Sequence, residues 1–131
     1  MNVSDLFSLA VASFVLNGLS GAQPPEQMAL FDGATLEGWY QCNGRATYAV
    51  VDGMIVGTTA TMSPNSFLCT KRTYANFELS FEVWLDDRLN SGVQIRSRSG
   101  ASSAGGGGDQ VSGPQVEIST DHNAGYLYGE G

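Results

Sequence analysis

The stretch NFELSFEVWLDD (residues 76–87) decides the fold class. Phe77, Leu79, Phe81, Val83 and Leu85 alternate with Glu78, Ser80, Glu82, Trp84 and Asp86. A period of two puts the first set on one face of a strand and the second set on the other. Burying the five apolar side chains is worth roughly 1.5–3 kcal/mol each before entropy is subtracted. The segment is therefore expected to be a half-buried strand that anchors a β core.

The same period recurs outward in both directions. Downstream, NSGVQIRSRS (residues 90–99) sets Val93 and Ile95 against Gln94, Arg96 and Arg98. A Gly-rich stretch, GASSAGGGGDQVSGP (residues 100–114), reads as a long loop, and loops of that length commonly serve as lids or binding loops. SGPQVEIST (residues 112–120) then sets Val116 and Ile118 against Gln115, Glu117 and Ser119. AGYLYGEG (residues 124–131) follows, with Tyr126, Tyr128 and Glu130 on one face.

Upstream, TYAVVDGMIVGT (residues 47–58) flanks Asp52-Gly53 with two apolar runs, the signature of a type I′ hairpin. SFLCT (residues 66–70) is a short strand after the chain break at Pro64-Asn65, and MALFDGATLEGWYQ (residues 28–41) turns at Asp32-Gly33. No helical period appears after residue 30. The expectation is an all-β sandwich or jelly roll of two antiparallel sheets. The strands number fewer than such a sandwich needs, so residues 23–131 are expected to form the N-terminal part of a larger domain. An open half would leave a strand edge and an apolar face bare.

The chain of 131 residues carries 13 acids, six bases and a formal charge of −7. That balance argues against a nucleic-acid partner, which needs a basic face. Residues 1–22 read as an export signal. LFSLAVASFVLNGL (residues 6–19) is apolar and too short to span a bilayer comfortably, and SGA (residues 20–22) offers small residues for cleavage. QPPEQ (residues 23–27) follows, and the leading MNVSD carries no Lys or Arg. The alternative reading is a packed N-terminal helix. Export implies a periplasmic or extracellular location, with no integral membrane segment after cleavage. Cys42 and Cys69 form either one disulfide or two free buried thiols. Two Cys and the single His122 do not make a zinc site.

The strands either side of the Gly-rich stretch carry the candidate chemistry. As sheet neighbours, they would place Gln94, Arg96 and Arg98 on one face with Gln115, Glu117 and Ser119, extended by Tyr126 and Tyr128. Amides and charged groups bind hydroxyls, and aromatic rings stack on pyranose faces, so this face suits a sugar. The plainer alternative is a solvated face with an ordinary Arg–Glu cross-strand pair. Glu78 and Glu82 read as solvated surface rather than a glycosidase pair. Asp86-Asp87 and Asp121-His122-Asn123 read as turns. The glycine run fits no phosphate or dinucleotide loop, and no nucleophile elbow is present.

Five segments together resemble the 3-keto-disaccharide hydrolase family of exported bacterial proteins: LFDGATLEGW (residues 30–39), VVDGMIVGT (50–58), FELSFEVWLDDRLNSGVQIRS (77–97), GPQVEI (113–118) and GYLYGEG (125–131). The resemblance implies a concanavalin-like jelly roll and action on glycosides already oxidised to a ketone at carbon 3. It also implies strands beyond those found here. The ketone acidifies the proton at carbon 2, a base removes it, the group on carbon 1 leaves, and hydration completes a net hydrolysis. Motif position and strand parity put Glu117 forward as the base and Arg96 as the enolate's partner. Gln94, Arg98, Gln115, Tyr126 and Tyr128 are then the sugar-binding residues. A divalent metal could replace Arg96, although no ligand set stands out. The rival readings are a non-catalytic carbohydrate-binding module of the same fold and a structural domain.

Overall fold

The computed structural model describes residues 6–16, 26–101 and 109–130. They form eleven strands, all paired antiparallel, and contain no helix. The strands are β1 (Leu6–Leu16), β2 (Glu26–Ala29), β3 (Trp39–Cys42), β4 (Thr47–Val51), β5 (Met54–Thr58), β6 (Phe67–Thr70), β7 (Glu78–Leu85), β8 (Ser91–Gln94), β9 (Arg98–Ala101), β10 (Asp109–Ile118) and β11 (Leu127–Glu130). One sheet of five strands runs β2-β1-β5-β4, with β7 along the other edge of β1. A second, of four, runs β11-β10-β8, with β9 also on β10. A two-stranded ladder joins β3 and β6. This is the architecture of a partial β-sandwich.

The local signals explain most turns. Asp52 and Gly53 have φ of 50° and 76°, as a two-residue I′ hairpin requires, and Val51 pairs with Met54 across it. Asp32 Oδ1 accepts the backbone N–H groups of Ala34 and Thr35 at 2.8 and 2.7 Å, which fixes the turn after Phe31. Those bonds and the Thr35 hydroxyl hold the Asp32 carboxyl below the usual carboxylate range. The Trp39 indole N–H closes the same segment on the Leu30 carbonyl at 3.0 Å.

The core is thin. Among residues 27–100 and 111–129, Phe31, Cys42, Ile55 and Val111 are the buried apolar side chains. The anchoring role expected of residues 76–87 is accordingly corrected. The alternation holds, but β7 has one neighbour, β1. Its apolar residues are only half-covered, with Val83 39% exposed and Trp84 63%. Ile55, on β5, is the best-buried side chain at 2%.

The Gly-rich stretch is also shorter as a loop than its composition suggests. β9 enters it from one side, and β10 starts at Asp109 on the other. Residues 102–108, which include the glycine run, lie outside the described residues.

Cys42 and Cys69 are joined by a disulfide, which settles the two alternatives. It links β3 to β6, where Cys69 pairs with Tyr40 and Cys42 with Phe67. Its Cα atoms are 6.1 Å apart and 27 residues separate it in sequence. Closing a loop of that size restrains the unfolded chain by about 3–4 kcal/mol. Reduction is expected to lower unfolding stability by that amount, as read by denaturant titration with and without dithiothreitol.

The N-terminal apolar run is a strand rather than a helix. β1 pairs with β5 through residues 6–10 and with β7 through residues 7–15, and so joins two strands that otherwise do not touch in the sheet. The expected cleavage site at residues 20–22 lies outside the described residues. Cleavage there would remove β1, leaving β2 and β7 without a sheet partner and one edge of β5 unpaired. A chain starting at residue 23 is therefore expected to lose cooperative thermal unfolding and to bind hydrophobic dyes. Circular dichroism melts of the two chains check this.

Candidate functional site

β10 is the middle strand of its sheet, and Glu117 sits near its end. Its backbone N–H donates to the Tyr126 carbonyl and its carbonyl accepts the Gly125 N–H, both at 2.9 Å. On the other side it lies opposite Gly92 of β8. Three chain segments thus fix the Glu117 backbone. Its side chain is the one buried charged group among the described residues, at 7% exposure.

A buried carboxylate needs partners for both oxygens. Here the Asn90 amide Nδ2 donates to Oε1 at 2.8 Å, and the Gln115 amide Nε2 donates to Oε2 at 3.1 Å. An ionised carboxylate is acceptor-only, and both neighbours offer it N–H groups.

Glu117 and Gln115 form part of the wall of a cleft of about 910 Å³. Gly92 and Tyr128 join them from the same sheet, and Tyr48 and Gly57 contribute from the β4–β5 hairpin. Asp87, Arg88 and Asn90 come from the β7–β8 turn, and Asp121 and Asn123 from the β10–β11 turn. Ser63, Pro64 and Asn65 form a further rim. That rim segment is tied down by Arg45, whose guanidinium donates to the Met62 carbonyl and whose N–H donates to Ser63 Oγ at 2.7 Å. A cleft of this size accommodates one or two sugar rings.

The two carboxylates on the turns are engaged locally. Asp121 accepts the Asn123 N–H at 2.8 Å and the Ser119 hydroxyl at 2.7 Å, which holds its carboxyl below the usual range. Asp86, behind Asp87, pairs with Arg88 at 3.1 Å and is lowered by it in the same way. Among the described residues no group of three or more His, Cys, Asp and Glu is placed to hold a metal ion.

The residues singled out from the sequence divide in two. Glu117, Gln115 and Tyr128 come together, since Tyr128 lies opposite Gln115 in the β10–β11 register. Gln94 also lies opposite Gln115, but its amide donates to the Gly113 carbonyl at 3.2 Å, its Oε1 is buried without a partner, and it stays out of the lining. Arg96, Arg98 and Tyr126 are exposed and outside the lining.

The expected alternation of Gln94, Arg96 and Arg98 is corrected by a bulge. Between the pairs Gln115↔Gln94 and Ser112↔Arg98, β10 has two residues and the facing segment has three. Arg96 takes φ 51° and Gly113 φ 143° at this point. One extra residue reverses the parity of everything beyond it. Arg98 consequently faces Ser112, which has the opposite parity to Gln115 and Glu117.

Sequence reasoning missed Asn90, Arg88 and Tyr48. Arg88 lies in what reads as a turn, and Asn90 opens the stretch read as the next strand, outside its alternating polar set. Tyr48 reads as an ordinary residue of the hairpin.

Burial pushes the Tyr48 phenol up to about 12, so it remains a hydrogen-bond donor at any physiological pH. The unfolded chain releases that proton near pH 10, before the folded chain does. The folded state then binds more protons, and stability falls as pH rises through that window. Tyr48→Phe is expected to flatten the loss of stability between about pH 10 and about pH 12, measured by urea titration across that range.

Comparison with curated proteins and with solved structures gives no significant match. A family model described as the 3-keto-alpha-glucoside-1,2-lyase-like domain matches residues 26–131, which covers every strand from β2 to β11. The chain belongs to this carbohydrate-active family.

Proposed function

We propose that the domain cleaves glycosides bearing a ketone at carbon 3, with Glu117 as the general base. The observation that carries this reading is the burial of Glu117 in the wall of a sugar-sized cleft, with a separate amide donor on each oxygen. A base must be held in a fixed pose within reach of the proton it takes.

The reaction follows from that pose. Glu117 takes the proton from carbon 2, and the C–H electrons form the enolate of the neighbouring ketone. Those electrons then make the double bond between carbons 1 and 2 as the C1–O bond breaks. The leaving oxygen departs with its electron pair and collects a proton. Water added across the double bond gives net hydrolysis.

Negative charge develops on the ketone oxygen, and donors beside it lower the barrier. The part expected of Arg96 falls in this reading to Arg88, which lines the cleft while its Nε and Nη2 donate to Asp86, with the Tyr48 phenol as a second donor. Tyr128 is positioned to pack against a ring.

Release of the aglycone from a 3-keto glucoside, against the same glucoside unoxidised, tests the assignment. Activity on the keto sugar alone is expected. Glu117→Gln should lower kcat by about 100-fold or more, the usual contribution of a positioned base. Equal turnover by Glu117→Gln would remove Glu117 from the chemistry. Binding of plain glycans without cleavage would mark a carbohydrate-binding module.

A further inference from the structure

The segment Asn90-Ser91-Gly92 does more than lead into β8. Asn90 holds Glu117 Oε1 directly. Gly92 lies opposite Glu117, and a Cβ built on it would sit 2.5 Å from Gln115 Cγ and Cδ and 2.7 Å from Nε2. No real Cβ approaches that closely. The Gln115 side chain therefore lies across the bare backbone of Gly92 on its way to Glu117 Oε2. Gly92 is not among the residues of positive φ, so its conformation does not call for glycine. Space does, and a glycine inside a strand commonly marks such a close approach.

We infer that Asn90 and Gly92 are positioning residues for Glu117, Asn90 by direct hydrogen bond and Gly92 by leaving room for Gln115. The consequence rests on the reading of Glu117 as the base, while the cradle itself stands on geometry. Each residue orients one oxygen, so loss of either lets the carboxylate swing on its remaining bond. Gln115 is in this way a holder of Glu117 rather than only a binder of sugar hydroxyls. The atoms a Cβ at Gly92 would meet belong to a flexible side chain, so Gly92→Ala can fold with Gln115 turned aside.

The test uses the full chain and two readouts. The first is the side-chain amide signals of Asn90 and Gln115 in ¹⁵N NMR. Gly92→Ala should move the Gln115 signals and spare those of Asn90, and Glu117→Ala should move both. The second is kinetics on the 3-keto glucoside. Asn90→Ala and Gly92→Ala should each lower kcat by about 10- to 100-fold with KM little changed, the size expected when a catalytic group is misplaced. Gly92→Ala added to Gln115→Ala should cost nothing further, because the two act through one bond. Gln115 signals unmoved by Gly92→Ala, or a full additional loss in the double variant, would overturn the inference. Moved signals alongside an active Glu117→Gln would keep the cradle and reject only the base.

Discussion

A carboxylate left at 7% exposure would cost several kcal/mol if its oxygens lacked partners, and the register of β8 against β10 supplies them. With Glu117 opposite Gly92, Asn90 falls two residues before that glycine, at the start of the strand, where its amide can turn back onto Oε1. Gln115, two residues before Glu117 on the same face, passes over the glycine to Oε2. A slip of one residue would put a side chain under Gln115 and carry Asn90 away. The β10–β11 pairing then holds the far side through the Tyr126 and Gly125 backbone. The site is thus a property of three strands in fixed register.

The sequence is most legible where a single period or a two-residue turn carries the information. Asp52-Gly53 specifies its hairpin because only residues tolerant of positive φ fit both positions. The alternation in residues 77–85 is equally plain, and it survives in β7. What alternation cannot report is whether a strand is central or at an edge, since that depends on neighbours distant in sequence. Val83 shows the difference: its parity is that of a core residue, and its exposure is that of an edge. The run at residues 6–16 presents the converse ambiguity. A continuous apolar segment suits the core of a signal peptide and a strand flanked on both sides alike, and periodicity does not separate them.

At the site, parity predicted the Glu117 face correctly for Gln115 and Tyr128 and failed at the bulge. Arg96 occupies the left-handed region without being glycine, so nothing in its identity announces an extra residue. Gly113 opposite is the one local hint, and glycine has too many other uses to be read that way alone. Asn90 was hidden for a different reason. It opens the stretch 90–99, ahead of the alternation that marks Gln94, and the end of a strand announces no partner. Its bond to Glu117 spans 27 residues and becomes visible only when β8 and β10 are paired. The Cys42–Cys69 link has the same character, since it needs the β3–β6 ladder to bring the two together.

The charge arrangement of the cleft bears on which sugar chemistry it suits. Hydrolysis of an ordinary glycoside calls for two carboxyl groups flanking one bond, one as acid and one as base or nucleophile. This cleft offers one carboxylate that is buried and held. Asp87 and Asp121 also line the wall, and Asp121 spends its oxygens on Asn123 and Ser119 within its own turn, which favour its ionised form. A substrate that carries its own ketone changes the requirement. Its carbon 2 proton is acidified before the enzyme acts, so a single oriented base and a donor near the ketone oxygen suffice, and protonation of the leaving group need not precede bond breaking. In the proposed reading, one well-held glutamate with a guanidinium and a phenol in the same cleft serves elimination from a 3-keto sugar.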